Sequence, residues 1–153
     1  MKRLSTLLFA FSVAICFRAE ADSSTPEAVT KAAYHTEFEH FGFSADTIRH
    51  EKPYLTPELY VALLAKANQP VAKGDAPDIE GDVLFDAQDV PEKYQVGYSY
   101  DGYANPGKAD VPVQLRFGGK ERLYHVHLIQ INGAWKITDI DYGKDGKLTD
   151  LLK

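Results

Sequence analysis

The stretch DVPVQLRFGGKERLYHVHLIQINGAWKITDIDY, residues 110–142, decides the fold of this chain. Apolar and polar residues alternate through most of it, which is typical of strands that cover a core with one face. The pairs Gly118-Gly119 and Asn132-Gly133 lie where two-residue hairpin turns belong. We therefore predict an antiparallel meander with strands at 94–100, 110–117, 121–131 and 134–142.

The hairpin turns also predict which residues face each other. A tight turn at 132–133 pairs Leu128 with Ile137 and Val126 with Asp139, and a tight turn at 118–119 pairs Val113 with Tyr124. One face, the predicted core face, then carries Val111, Val113, Leu115, Tyr124, Val126, Leu128, Trp135 and Ile137. The other, which we name the outer face, carries Gln114, Arg116, Glu121, Leu123, His125, His127, Ile129, Ile131, Lys136, Thr138, Ile140 and Tyr142. A bulge in either hairpin would exchange the faces locally.

Helices are predicted before the strands. Thr56-Pro57-Glu58 is a helix start, followed by apolar residues on one helical face and by Asn68-Gln69-Pro70 as a stop. An earlier helix begins near Pro26, with either Ser24 or Thr25 as its cap, and Gly42 is placed to end it. Helices followed by an antiparallel sheet predict an α+β fold, with the 147–153 tail as a short helix docked on the sheet.

The segment between the second helix and the sheet, residues 68–93, has little periodicity. Val83, Leu84 and Phe85 are predicted to anchor it in the core, with Asp86 and Asp89 capping nearby backbone amides. Calcium binding is the alternative for its acidic residues, but they lack the alternate spacing of an EF-hand loop, so a solvated loop is favoured. These acidic residues are Asp75, Asp78, Glu80, Asp82, Asp86 and Asp89.

The N-terminus has the three parts of a signal peptide. Lys2 and Arg3 precede an apolar run, and Ala19-Glu20-Ala21 supplies small residues for cleavage. We predict that residues 1–21 are removed, and that residues 22–153 form one periplasmic or secreted domain. Lipidation at Cys16 is the alternative, but the bulky Ile15 before it is unsuitable, so no stable membrane anchor is expected. Cleavage at this site removes the sole cysteine, and with it disulfide and thiol chemistry.

Charge narrows the classes of partner. The chain has 17 basic and 22 acidic residues, a formal net charge of −5, and loss of the signal peptide makes it more acidic. Such a chain repels phosphate backbones, so we expect no nucleic-acid partner. No serine lies in a nucleophile elbow, and the Gly118-Gly119 pair joins two strands and so is not a phosphate loop.

Three stretches carry a family resemblance: Pro53-Tyr54-Leu55-Thr56, the segment from Gly81-Asp82 to Gln88-Asp89, and Trp135 to Tyr142. In this order they resemble the secreted bacterial proteins grouped as domain of unknown function family 3828, which is similar to the nuclear transport factor 2-like superfamily. The resemblance implies a curved antiparallel sheet wrapped around N-terminal helices as a cone. The superfamily includes enzymes, ligand-binding domains, immunity proteins and scaffolds, so it implies no single activity.

His125 and His127 are the most suggestive candidates for chemistry. Two residues apart on a strand, they point the same way, as zinc ligands or an acid/base pair would. The predicted register places Asp139 and Asp141 on the opposite face, so a His–Asp dyad would need a bulge. We therefore favour a partner-facing surface over a metal site, and we expect no cofactor.

Aromatic residues are numerous, with nine tyrosines among them. They could line a ligand pocket in the cone, but aromatic residues at helical or strand spacing are more often core. Some tyrosine hydroxyls are expected at a pocket mouth or interface. The set is Tyr34, Phe38, Phe41, Tyr54, Tyr60, Tyr98, Tyr100, Tyr103 and Trp135.

The resulting functional hypothesis is an exported, non-catalytic binding protein that contacts another protein or a second copy of itself through the outer face. A toxin-neutralising immunity protein and an accessory of an envelope complex are versions of it. The alternative is a small enzyme or ligand-binding protein that uses the cone cavity. A deep cavity with a perturbed ionisable group would favour that alternative, and a filled interior would favour binding. The candidate binding residues are Tyr34, Tyr54, Asp86, Gln88, Asp89, His125, His127, Ile129 and Tyr142.

Overall fold

Three helices precede a four-stranded sheet in the computed structural model of the chain, which describes residues 25–71, 79–100 and 105–153. The predicted signal peptide lies outside these residues. Two short 3₁₀ helices, Gly143–Asp145 and Leu148–Leu152, follow the last strand. The elements are α1 Pro26–Glu39, α2 Ala45–Glu51, α3 Pro57–Ala67, β1 Lys93–Val96, β2 Lys108–Phe117, β3 Lys120–Ile131 and β4 Ala134–Asp141. The predicted α+β class is confirmed.

Caps define the helix starts. Thr25 accepts a hydrogen bond from the Ala28 amide, with Pro26 in the first turn of α1, and Thr56 does the same for Leu59 at the start of α3. α1 ends at Glu39, three residues before the glycine predicted to end it. The sequence analysis missed α2, because seven residues are too few to show periodicity, although Ser44 caps it through the Thr47 amide.

The sheet is an antiparallel meander in the order β1-β2-β3-β4. Both predicted hairpin turns are present, with positive φ at Gly118, Gly119, Asn132 and Gly133 as tight turns of this kind require. The strand bounds differ from the predicted ones by one or two residues, except that β1 ends at Val96, four residues early. On the other side of β4, Leu55 forms a parallel bridge with Ile137 and extends the sheet.

The register of β3 with β4 is correct near the turn and wrong beyond it. Leu128 pairs with Ile137 as predicted, but a bulge between His127 and Leu128 makes Ile140, and not Asp139, the partner of Val126. The bulge moves Ile140 and Tyr142 from the predicted outer face into the core, where their exposed fractions are 0% and 4%. It also makes Asp139 the cross-strand partner of His127 and Asp141 that of His125. Both acids therefore lie on the same face as the histidines, whereas the prediction placed them on the other face.

The core lies between α1 and the sheet, and aromatic rings fill much of it. α1 crosses β1, β2 and β4 and buries Tyr34, whose ring meets that of Phe85 edge to face with 5.5 Å between centroids. The rings of Tyr124 and Tyr142 meet in the same way at 5.2 Å. The predicted anchor is confirmed, because Val83, Leu84 and Phe85 are all buried. α2 and α3 close the core, with Ile48 and Leu63 inside.

Candidate functional site

The outer face of the sheet combines exposed apolar residues with imidazoles. Leu123 is 55% exposed, and Ile129 and Ile131, further along the same strand, are partly exposed. His125 and His127 lie between them on β3, as predicted. A sheet face open to water is usually more polar than this. The described residues therefore leave part of an apolar face uncovered.

The two histidines have different surroundings. His125 Nδ1 lies 2.8 Å from Asp110 Oδ1 on β2, so a dyad forms with an acid that the sequence analysis did not consider. His127 lies between Asp110 and Asp139 on the neighbouring strands, and its Nε2 is buried without a partner. Within residues 25–71, 79–100 and 105–153, no group of three or more ligating side chains could hold a metal ion. The outer face therefore carries one imidazole in a dyad with Asp110 and one buried imidazole nitrogen that has no partner among the described residues.

The carboxylate of Asp139 accepts hydrogen bonds from its own strand and from the C-terminal helix Leu148–Leu152. Its Oδ1 accepts hydrogen bonds from the backbone amides of Ile140 and Thr149, at 2.9 and 3.1 Å, and its Oδ2 accepts one from the Thr149 hydroxyl at 3.0 Å. Leu148 is completely buried. The predicted docking of the tail is thus confirmed, and it covers one side of the outer face but leaves Leu123 exposed.

A groove runs from the histidines to α3. It consists of two adjoining depressions of about 350 and 380 Å³, which share Ile129 and Thr138 as a common wall. The first is bordered by Asp110 and His127. The second is more apolar and lies against Leu59, Ala62 and Leu152. The groove could receive an apolar side chain at one end and a hydrogen-bonding group at the other.

The predicted acidic site before the sheet is a structured turn. Asp86 is half-buried in the left-handed region, at φ 44°, and its carbonyl accepts a hydrogen bond from Arg122. Gln88 donates to Glu80, and Asp89 is exposed. The cap was assigned to the wrong acid, since Asp82 Oδ1 accepts the amides of Leu84 and Phe85 at 2.9 Å each. Asp75 and Asp78, part of the calcium alternative, lie outside the described residues.

Three tyrosines clamp this turn from inside. The hydroxyls of Tyr142, Tyr34 and Tyr124 donate to three successive carbonyls, those of Val83, Leu84 and Phe85, at 2.6, 3.0 and 3.2 Å. Tyr34 and Tyr142 are thus core residues and not part of an accessible surface. Tyr54 is half-buried and accepts a hydrogen bond from Thr36. The predicted binding residues therefore separate into an outer-face group, an internal group and the exposed residues Gln88 and Asp89 of the turn.

The sequence analysis missed a buried carboxyl cluster, which we define as Glu37, Glu51 and Asp82. Their exposed fractions are 1%, 0% and 2%. Both carboxyl oxygens of Glu51 and Oε2 of Glu37 are buried without a hydrogen-bond partner. None of the depressions described above is lined by Glu37 or Glu51. The sequence does contain a signal for the burial of Glu37, because this residue lies four residues after Ala33 on the apolar face of α1.

Burial dominates the electrostatics of the cluster. It raises the pKa of Glu37 far above the usual glutamate range, and the nearby Asp82 and Glu51 raise it further. Burial and the charge of Asp82 raise the pKa of Glu51 to about 8, although its interaction with Glu37 lowers it in part. Glu37 is therefore protonated at neutral pH, and Glu51 largely so.

Comparison of the chain with protein-family models, with curated proteins and with solved structures finds no match. No helix in the described parts of the chain is long and apolar enough to cross a membrane.

Proposed function

We propose that this chain is a non-catalytic binding protein that docks a second copy of itself on the outer face of its sheet. The observation that carries the proposal is the exposure of Leu123 on a strand whose neighbours Ile129 and Ile131 are also partly uncovered. Apolar surface left uncovered on a folded protein marks interaction sites, and on β3 it forms one row in which His125 and His127 separate Leu123 from Ile129. The groove beside Ile129 gives such a surface a depression that a partner side chain can enter.

The filled interior supports binding over pocket catalysis. Tyr34, Phe85 and Tyr124 occupy the space between helices and sheet, and their hydroxyls, where present, bond to backbone carbonyls. The perturbed carboxyls Glu37 and Glu51 are buried in the packed interior, away from the depressions described above. A general acid must reach its substrate, and within the described residues both side chains are at most 1% exposed.

Mixed charge on the outer face supports a self-complementary contact. Arg116 and Lys136 lie on the same face as Glu121 and Asp110, so two like copies can meet without a single-sign repulsion. Symmetric association of identical chains is the commonest form of oligomer. Export by the predicted signal peptide and a nuclear transport factor 2-like cone are finer parts of the same proposal. The immunity-type partner of basic charge is a separate prediction from the sequence and differs from the second copy proposed as the occupant.

The test is the oligomeric state of the wild type and three variants by sedimentation velocity over a concentration series. We expect the wild type to associate, and Ile129→Asp to raise the dissociation constant at least tenfold, about 1.4 kcal/mol, because a carboxylate is then buried in the contact. Leu123→Asp, at a more exposed position, should act in the same way without affecting the fold. Val61→Asp on α3, 63% exposed and absent from the groove, is the matched control.

The outcomes separate clearly when far-UV circular dichroism is recorded for each variant. A folded, monomeric Leu123→Asp beside an associating Val61→Asp supports the proposal. A wild type that stays monomeric at all concentrations, or outer-face variants that associate like the wild type, contradict it.

A further inference from the structure

We propose that the carboxyl cluster of Glu37, Glu51 and Asp82 is a proton-dependent latch, which holds α2 on α1 and releases it when its protons are lost. The three side chains come from three elements: the last turn of α1, the last residue of α2 and the start of the 82–87 turn. A change in their protonation therefore acts on how these elements are held together. This device is independent of the outer face and of its proposed function.

Asp82 is the member of the cluster that backbone amides hold in place. Its Oδ1 accepts the amides of Leu84 and Phe85, and its Oδ2 accepts the Gly42 amide at 3.2 Å. Three amide donors stabilise the carboxylate form of an acid. Through Gly42, this carboxylate also holds the connection between α1 and α2.

Glu37 and Glu51 are the members that depend on protons. Among the described residues, no ion pair involves either of them. The two side chains lie close enough to interact, although both Glu51 oxygens fall short of a hydrogen bond. A buried carboxylate with neither a cation nor a donor is far less stable than its protonated form. The packed arrangement therefore needs protons on these two acids.

The groups that face the cluster add no positive charge. Tyr34 faces it from α1, and its phenol interacts with Asp82, Glu37 and Glu51. Tyr142, which follows β4, faces Asp82. Tyr124 on β3 interacts with the phenols of Tyr34 and Tyr142. Ionisation of these phenols would only add negative charge. No compensation for a new carboxylate comes from these neighbours.

α2 is the element that can respond. It has only seven residues, and its buried positions are Thr47, Ile48 and Glu51. The connection before it contains Gly42 at φ +111°, with open space where a Cβ would lie, and the residues just after it, Lys52 and Pro53, are exposed. Once Glu51 carries a charge next to Asp82, rotation of α2 on these two connections brings that carboxylate to water.

The experiment measures amide hydrogen exchange of the full chain by mass spectrometry from about pH 6 to pH 9.5, as protection factors corrected for intrinsic rates. We expect the protection of the 45–51 amides to fall at least tenfold more than that of the β2 and β3 amides above pH 8, because α2 opens locally and the sheet opens only with the whole domain. Glu51→Gln removes the charge at constant shape and should keep α2 protected throughout. Glu39→Gln, an exposed acid of the same α1 turn, is the matched control and should behave like the wild type.

Each outcome decides the matter. Constant protection of α2 in the wild type overturns the latch, as does an alkaline loss that Glu51→Gln shares. A loss of protection in the sheet as large as that in α2 also overturns it, since it indicates global unfolding. If Glu51→Gln does not fold, Glu51→Met supplies the same neutral test.

Discussion

Among single residues, Asp82 has the largest effect on the turn of residues 82–87 that precedes β1. Its carboxylate accepts amides from within the turn, and its backbone closes the turn in both directions with Ala87, at 2.7 and 3.3 Å. Three tyrosine hydroxyls donate hydrogen bonds to the carbonyls of residues 83–85, which lie between Asp82 and Ala87. A buried loop normally leaves backbone polar groups unpaired, and these contacts remove that cost.

Phe85 is the apolar anchor of this turn. Phe85→Ala should lower the free energy of unfolding by about 3–5 kcal/mol, because it removes a fully buried ring that contacts Tyr34 and Phe41. Urea unfolding followed by circular dichroism measures the loss. Phe38→Ala, at a position 42% exposed, is the control and should cost much less. A change below about 0.5 kcal/mol at Phe85 would show that the turn does not depend on its burial.

The raised pKa values of Glu37 and Glu51 predict how stability changes with pH. Both groups bind protons more tightly in the folded state than in the unfolded state. The stability they contribute is therefore complete below the ordinary glutamate pKa and is lost as pH rises towards their folded values. Within this window each group lowers the free energy of unfolding by about 1.4 kcal/mol per pH unit. Urea unfolding between about pH 5 and pH 8 should show this decline.

The double variant Glu37→Gln/Glu51→Gln checks the assignment of that decline. It should remove most of the slope and be more stable than the wild type at pH 8, because neither amide loses a proton. An unchanged slope would mean that other groups cause the pH dependence.

At the scale of elements, the bulge in the β3–β4 hairpin decides which side chains β4 buries. The residues next to the Asn132-Gly133 turn pair as the sequence predicts, because the turn type fixes the local register. Further from the turn, Ile137 also forms a bridge with Leu55, and Asp139 accepts a hydrogen bond from Thr149 of the C-terminal helix. These are long-range contacts that alternation along one strand does not contain. The positions of Ile140 and Tyr142 were therefore not predictable from it.

Asp139 should be the residue that holds the C-terminal helix. Asp139→Ala removes the acceptor for the Thr149 amide and hydroxyl, and we expect a loss of about 1–3 kcal/mol in the free energy of unfolding. Hydrogen exchange should show residues 148–152 exchanging faster. Thr149→Val, which removes the hydroxyl alone, should have a smaller effect. A C-terminal helix that stays protected in Asp139→Ala would contradict this role.

At the scale of the whole molecule, the fold was more predictable than the site. Helix caps and alternating strands are local signals, and they predicted α1, α3 and the meander in the right order. The internal carboxyl cluster joins acids from three separate elements, one of which is too short to be recognised. The outer face was predictable in part, because His125 and Ile129 share the alternation of β3, whereas the Asp110 contact depends on side-chain geometry.

The most direct test of the central claim, that the outer face is the docking surface, is methyl NMR of the isotope-labelled protein over a dilution series. We predict that the methyl signals of Leu123, Ile129 and Ile131 shift with concentration, while those of Val61 and the buried Leu63 stay constant. This pattern would locate the contact on β3. Constant signals at the three outer-face residues, with shifts at Val61 instead, would contradict the account.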